Sequence, residues 1–310
     1  MMPFVLGLAL AGPPEERLLG PHDFGQPVAV EPVFVTSFVS FRQGVGLLTL
    51  RDVRYPGIPE PLSLRLLGLT EVIRGQVRVH ERVGIGAFAS GTLLSGADKD
   101  SALFLGARGA YQLRLTSTAR LVRTERVQLA ARVGVRTAYE LRVTPADVAV
   151  QLLDDTEEAL SLVLRGAWSE SLLSATQGTY GTVGLSGAWS LSRPVGLLAS
   201  LSGRAGRVRP VGKDQEGVGT GLQFGAGVAV DVRPKEDSAL GLQLGIQDNV
   251  DRTAGLEDTV TGRHRLVVPL QVYADLGTFQ LGLVPSASLS WGSAVREQQL
   301  GIEGRAVGYF

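Results

Sequence analysis

Apolar and polar residues alternate one for one along much of this chain, most fully between 127 and 143. The odd positions there are Val127, Leu129, Ala131, Val133, Val135, Thr137, Tyr139, Leu141 and Val143. The even positions are Gln128, Ala130, Arg132, Gly134, Arg136, Ala138, Glu140 and Arg142, and they carry four charges. Successive strand side chains leave on opposite faces, so one face is apolar and the other hydrophilic. The run is longer than an ordinary soluble strand of about 5–6 residues. It suffices to cross a bilayer, which takes about 9–11 tilted residues.

The same period returns along the chain. Val83, Ile85, Ala87, Ala89 and Leu93 share one face; so do Leu222, Phe224, Ala226, Val228, Val230 and Val232. Leu240 to Ile246 and Leu281 to Trp291 repeat it, with Gly, Ser and Gln opposite. Turns between these runs predict strands near 44–54, 64–79, 83–93, 101–121, 127–143, 179–191, 195–208, 218–232, 238–248, 263–275, 279–291 and 299–310. That is an even number, twelve, and short and long connections alternate between them. Both features fit an antiparallel up-and-down transmembrane β-barrel with short periplasmic turns and longer outer loops. A soluble β-sandwich also alternates, but strand length and the arginines crowded on one polar face favour the barrel.

Two stretches do not follow the period. Val33 to Phe41 reads either as an extra strand or as part of a long first strand. Residues 144–178 read as a partly helical insertion: Asp147 follows Thr144 by three positions, and Leu160, Val163, Leu164, Ala167, Trp168 and Leu172 have helical spacing. Two further strands there, giving a barrel of fourteen, are the alternative.

The N-terminal 1–11 has a short apolar core and the small-residue site Ala9-Leu10-Ala11, like the end of a secretory signal peptide. It lacks a basic leader, so the natural start can lie upstream. Residues 12–32, rich in Pro and Gly, read as a periplasmic lead-in, and 33–310 as one barrel domain. The net charge of zero argues against a nucleic-acid partner. The chain has no cysteine, which removes disulfides, thiol catalysis and thiolate metal sites. No apolar run approaches the roughly 18 residues of a membrane-spanning helix.

Little in the chain carries covalent chemistry. His22, His80 and His264 form no metal-ligand spacing, and HExxH, GxSxG and P-loop motifs are missing. No catalytic residue, metal or cofactor is therefore expected. The suggestive constellation is arginine on the hydrophilic faces: Arg74 and Arg78; Arg108, Arg114 and Arg120; Arg132, Arg136 and Arg142. Later strands contribute Gln223, Gln243, Gln247, Gln271 and Gln280 with Asp231 and Asp275, so the basic wall is an arc. Such an arc can select ions, or it can pair with acids and fill the interior. Asp147, Asp154, Asp155, Glu157 and Glu158 of the insertion are candidate partners that would narrow the lumen.

The stretch from about 33 to 310 resembles Gram-negative outer-membrane β-barrel proteins. The turn Glu81-Arg82-Val83-Gly84-Ile85 resembles turns of transporter barrels, and Phe310 resembles their C-terminal assembly signal, although Gly308 stands where an apolar residue is usual. Trp189, Phe279, Trp291 and Tyr139 are candidate interfacial aromatics. The resemblance implies an outer-membrane location with lipid and the barrel-assembly machinery as partners. It leaves two functions open. One is a passive channel for small hydrophilic solutes, with anions a candidate class. The other is a closed structural or adhesive barrel whose outer loops bind partners. The oligomeric state is not legible.

Overall fold

A computed structural model describes residues 17–54, 58–143, 145, 173–212, 214–235, 238–254, 263–291 and 296–310. Two short strands, β1 (Leu18–Leu19) and β2 (His22–Asp23), form a small hairpin near the N-terminus. Twelve long strands follow: β3 (Phe38–Val53), β4 (Leu62–His80), β5 (Val83–Gly96), β6 (Ala107–Arg123), β7 (Val127–Val143), β8 (Leu173–Ser190), β9 (Val195–Pro210), β10 (Gly217–Lys235), β11 (Ser238–Ala254), β12 (Arg263–Asp275), β13 (Phe279–Trp291) and β14 (Arg296–Tyr309). Each pairs antiparallel with its sequence neighbours, and β14 closes on β3 through Leu300 opposite Leu47 and Tyr309 opposite Phe38. Closure leaves no unpaired edge, which a sheet in hydrocarbon requires.

The distribution of exposure is the inverse of a soluble barrel. Leu300 and Val183 on the outside are 65 % and 63 % exposed, whereas Gln128, Gln271 and Gln280 on the inside are 1 % exposed. Val45, Leu67, Ile85, Leu115, Val135, Leu222, Leu240 and Leu283 extend the exposed apolar surface around the circumference. A contiguous patch of this extent greatly exceeds what a soluble monomer leaves in water. Hydrocarbon contact accounts for it.

Trp189 and Phe310 are exposed at the short-turn end, and Trp291 is exposed at the long-loop end. Phe279 is half-buried beside Gly308 on β14. Tyr139 stacks on Tyr111 of the adjoining strand with ring centroids 5.2 Å apart. A polar pair interrupts the outer apolar surface midway along the strands: exposed Glu71 of β4 accepts a 2.9 Å hydrogen bond from Gln43 of β3.

Several strand limits differ from the sequence expectation. The predicted strand over 101–121 begins at Ala107, because Lys99–Leu105 form helix α1. Asp98 caps it by accepting from Ser101 N at 2.8 Å, and Gly106 with φ 59° ends it. Helix α1 packs inside the barrel at the long-loop end, where Phe104 and Leu105 lie against Leu50, Val53 and Leu64. Residues 38–41 belong to β3, but 33–37 do not continue the strand. Strand β8 starts at Leu173, so the end of the predicted insertion is strand. Residues 144 and 146–172, with their five acids, lie outside the described residues, as do 1–16 with the signal-like segment.

Candidate functional site: a lumen occupied by residues 17–36

The largest departure from expectation is the lead-in. Its described part, from Arg17 onward, runs inside the barrel at the short-turn end. The wall there is built by lumen-facing positions whose side chains reach inward. Gln76 of β4 donates to the Phe34 and Thr36 carbonyls at 2.9 and 3.0 Å. Gln128 of β7 donates to Val33 O at 2.9 Å, and Gln243 of β11 to Gly25 O at 3.3 Å. Arg305 of β14 donates to Gln26 O at 2.7 Å, and Ser186 of β8 to Pro32 O at 3.2 Å. An irregular backbone cannot satisfy its own amides when buried, so the wall supplies the partners that a helix or sheet would have supplied.

Apolar contact and ion pairs complete the docking. Leu19, Phe24, Ala29, Val30, Val33 and Phe34 form one buried cluster with Ala188, Leu198 and Ala229 of the wall. Small wall residues make the room. A Cβ on Gly196 would come within 2.5 Å of the Phe24 ring and 2.6 Å of His22, and one on Gly245 would collide with Ala29. The Arg17 guanidinium pairs with Asp275 at 2.9 Å, donates to Gly277 O at 3.2 Å and lies 4.1 Å over the Tyr309 ring. Burial works against its charge, but Tyr309, Asp23 and Asp275 outweigh that and hold its pKa above the usual value. His22 donates from Nδ1 to Arg193 O at 3.0 Å.

Glu31 ends this docking on the basic wall. Its carboxylate takes two bonds from Arg114, at 2.6 and 3.1 Å, and one from Arg132 at 2.5 Å; Arg74 stands 4.0 Å away. Burial alone would push its pKa up, but Arg114, Arg132 and Arg74 outweigh that and hold it well below the usual carboxylate value. Beyond Glu31 the lumen widens into a polar vestibule of about 1270 Å³ reaching the long-loop end. Arg108 and Arg142 meet there on Glu140 at 3.3 and 2.8 Å. Arg42 pairs with Glu303 at 2.8 Å, and Arg204 and Arg263 pair with Asp251 and Glu297.

The predicted arginines therefore separate into groups. Arg74, Arg114 and Arg132 converge on Glu31, with Arg136 beside them over the Tyr180 ring at 5.8 Å. Arg108 and Arg142 line the vestibule. Arg78 and Arg120 stand apart toward the short-turn end: Arg78 is exposed with its amide on Ser37 Oγ, and Arg120 lies at a register shift in the β6–β7 ladder. An acid does dock on the basic wall, but the described one is Glu31 and not an insertion residue. Arg17, Glu31, Arg204, Arg265 and Arg305 were missed. The lumen-side glycines at 196, 225 and 245 were the available signal, since each leaves space that the segment fills. Among the described residues, no group of three His, Asp or Glu side chains could hold a metal ion.

Known structures share this fold. The β domain of the Bordetella autotransporter BrkA aligns over 89 % of this chain and all of its own length, with TM-score 0.53 and 9 % identity. An outer-membrane channel from Pseudomonas putida F1 aligns over 93 % of this chain and all of its own, with TM-score 0.52 and 12 % identity. This chain has the closed twelve-stranded fold of bacterial outer-membrane β-barrels. The translocator domain of the autotransporter NalP from Neisseria meningitidis has the same architecture, with TM-score 0.51, 13 % identity, and 89 % and 88 % of the two chains covered. No family model and no curated protein matches the sequence.

Proposed function

We propose that this barrel is a channel for small hydrophilic solutes whose lumen is closed at rest by its own residues 17–36. The observation that carries the reading is the chemistry of the wall behind the segment. Here the wall offers Gln76, Gln128, Ser186, Gln243, Gln280 and Arg305, groups that water can satisfy equally well once the segment leaves. The vestibule already provides a wide polar approach from the long-loop end. Similarity to a solved channel and to translocator domains is consistent with passage through the lumen.

Planar-bilayer recording tests this directly. The intact chain should be closed or open only briefly, and a chain lacking residues 17–36 should show sustained conductance steps. A folded deletion variant that stays closed would favour the alternative, a structural barrel whose outer loops bind partners.

A further inference from the structure

We infer that Arg74, Arg114 and Arg132 form an anion-binding site for small phosphate or carboxylate solutes, and that Glu31 is its tethered occupant. This rests on reading residues 17–36 as a displaceable plug. Three observations carry it.

The guanidinium groups are held by contacts other than Glu31. Phe88 lies under both Arg74 and Arg114, at 5.3 and 5.1 Å, and Arg132 donates from Nε to Thr118 Oγ1 at 3.1 Å. Withdrawing Glu31 would therefore leave the arginines converging on one point. Planar guanidinium groups suit the paired oxygens of carboxylate and phosphate.

Among the described residues, the charge count is unbalanced even with the plug in place. Three arginines share one carboxylate, and Arg136 beside them has no ion pair among the described residues. The buried Nε atoms of Arg114 and Arg136 have no hydrogen-bond partner there. A site satisfied by Glu31 alone would need fewer cations.

The site is also reachable. A small pocket of about 40 Å³ lined by Glu31, Arg114, Arg132 and Arg136 shares Arg204 and Asp251 with the vestibule. From the vestibule, which Val28 of the plug also lines, Arg204 and Asp251 lead to the pocket that Arg114, Arg132 and Arg136 line. Because Glu31 and the solute need the same groups, binding one disfavours the other, and this competition is reciprocal. A phosphate or carboxylate would thus loosen the closure that blocks its own path.

The test measures inorganic phosphate binding to the full chain in nanodiscs by calorimetry, at fixed ionic strength. Glu31→Gln should tighten phosphate binding by about tenfold or more, within the usual range of site-to-site coupling. Adding Arg132→Gln to Glu31→Gln should abolish that gain. A second readout keeps Glu31 intact. Val33→Cys places a single thiol in a buried position of a cysteine-free chain, and phosphate should speed its labelling by an impermeant maleimide more than chloride does. Unchanged phosphate affinity in Glu31→Gln, or labelling indifferent to the anion, overturns the inference. The channel reading fails separately: if the chain lacking 17–36 binds phosphate tightly but does not conduct, the anion site stands and the channel falls.

Discussion

Glu31 shows how one side chain can set the conditions under which the lumen is closed. Its pKa when docked lies below the ordinary value of 4.5. The docked form is therefore favoured by ionised Glu31 at every pH above that ordinary value, and this contribution disappears only as pH falls through the lower, docked value. Conductance of the intact chain should stay low through pH 4.5 and rise only in stronger acid. Glu31→Gln should remove that acid-dependent rise. An opening midpoint at or above 4.5 would show that Glu31 is not the group holding the segment. The Glu31 role had no sequence signature: an isolated acid beside Pro32 in an aperiodic stretch looks like any loop residue.

Strands with one face in hydrocarbon were the most legible elements. For β7 and β13, predicted and observed limits coincide at 127–143 and 279–291, because apolar-polar alternation reports directly on which face meets lipid. Helix α1 was read as strand because Ala102 to Leu105 is a short apolar run, in which period cannot separate the two conformations. The Asp98 cap and the left-handed Gly106 decided it. Glycines on the lumen face of β9 and β11 have a similar hidden meaning. Gly196→Val should leave the β8–β9–β10 ladder intact, since any residue can occupy its extended backbone, but should expel Phe24 and His22 from their seat. The expected result is native-like strand content by circular dichroism with a channel open at neutral pH. A closed channel in a folded Gly196→Val protein would show that the segment repacks around the bulk.

At the scale of the whole molecule, the outer apolar surface places the barrel in a bilayer, and the Gln43–Glu71 pair is a marked exception. A hydrogen-bonded polar pair facing lipid costs less than a lone carboxylate there, because Gln43 supplies the donor that water would have supplied. Replacing both residues with leucine should leave the barrel at least as resistant to urea in liposomes. Gln43→Leu alone should destabilise it by about 1 kcal/mol or more, since it strands the Glu71 carboxyl. If the single change proves harmless and the double change harmful, the pair makes contacts beyond the barrel itself.

Alternation and turn spacing predicted a barrel of twelve strands, with fourteen as the alternative, and a lipid-facing exterior, because each strand face carries its own record of its solvent; closure at twelve was decided by the tertiary structure. Which strand closes on which follows almost automatically from antiparallel neighbours and the need to remove both edges. The state of the lumen was a different matter. Residues 17–36 gain their partners from β4, β7, β8, β11 and β14, far apart in sequence, and have no periodicity of their own to show it. Only the closed tertiary structure brings those walls around one segment and turns an arc of arginines into a seat for Glu31.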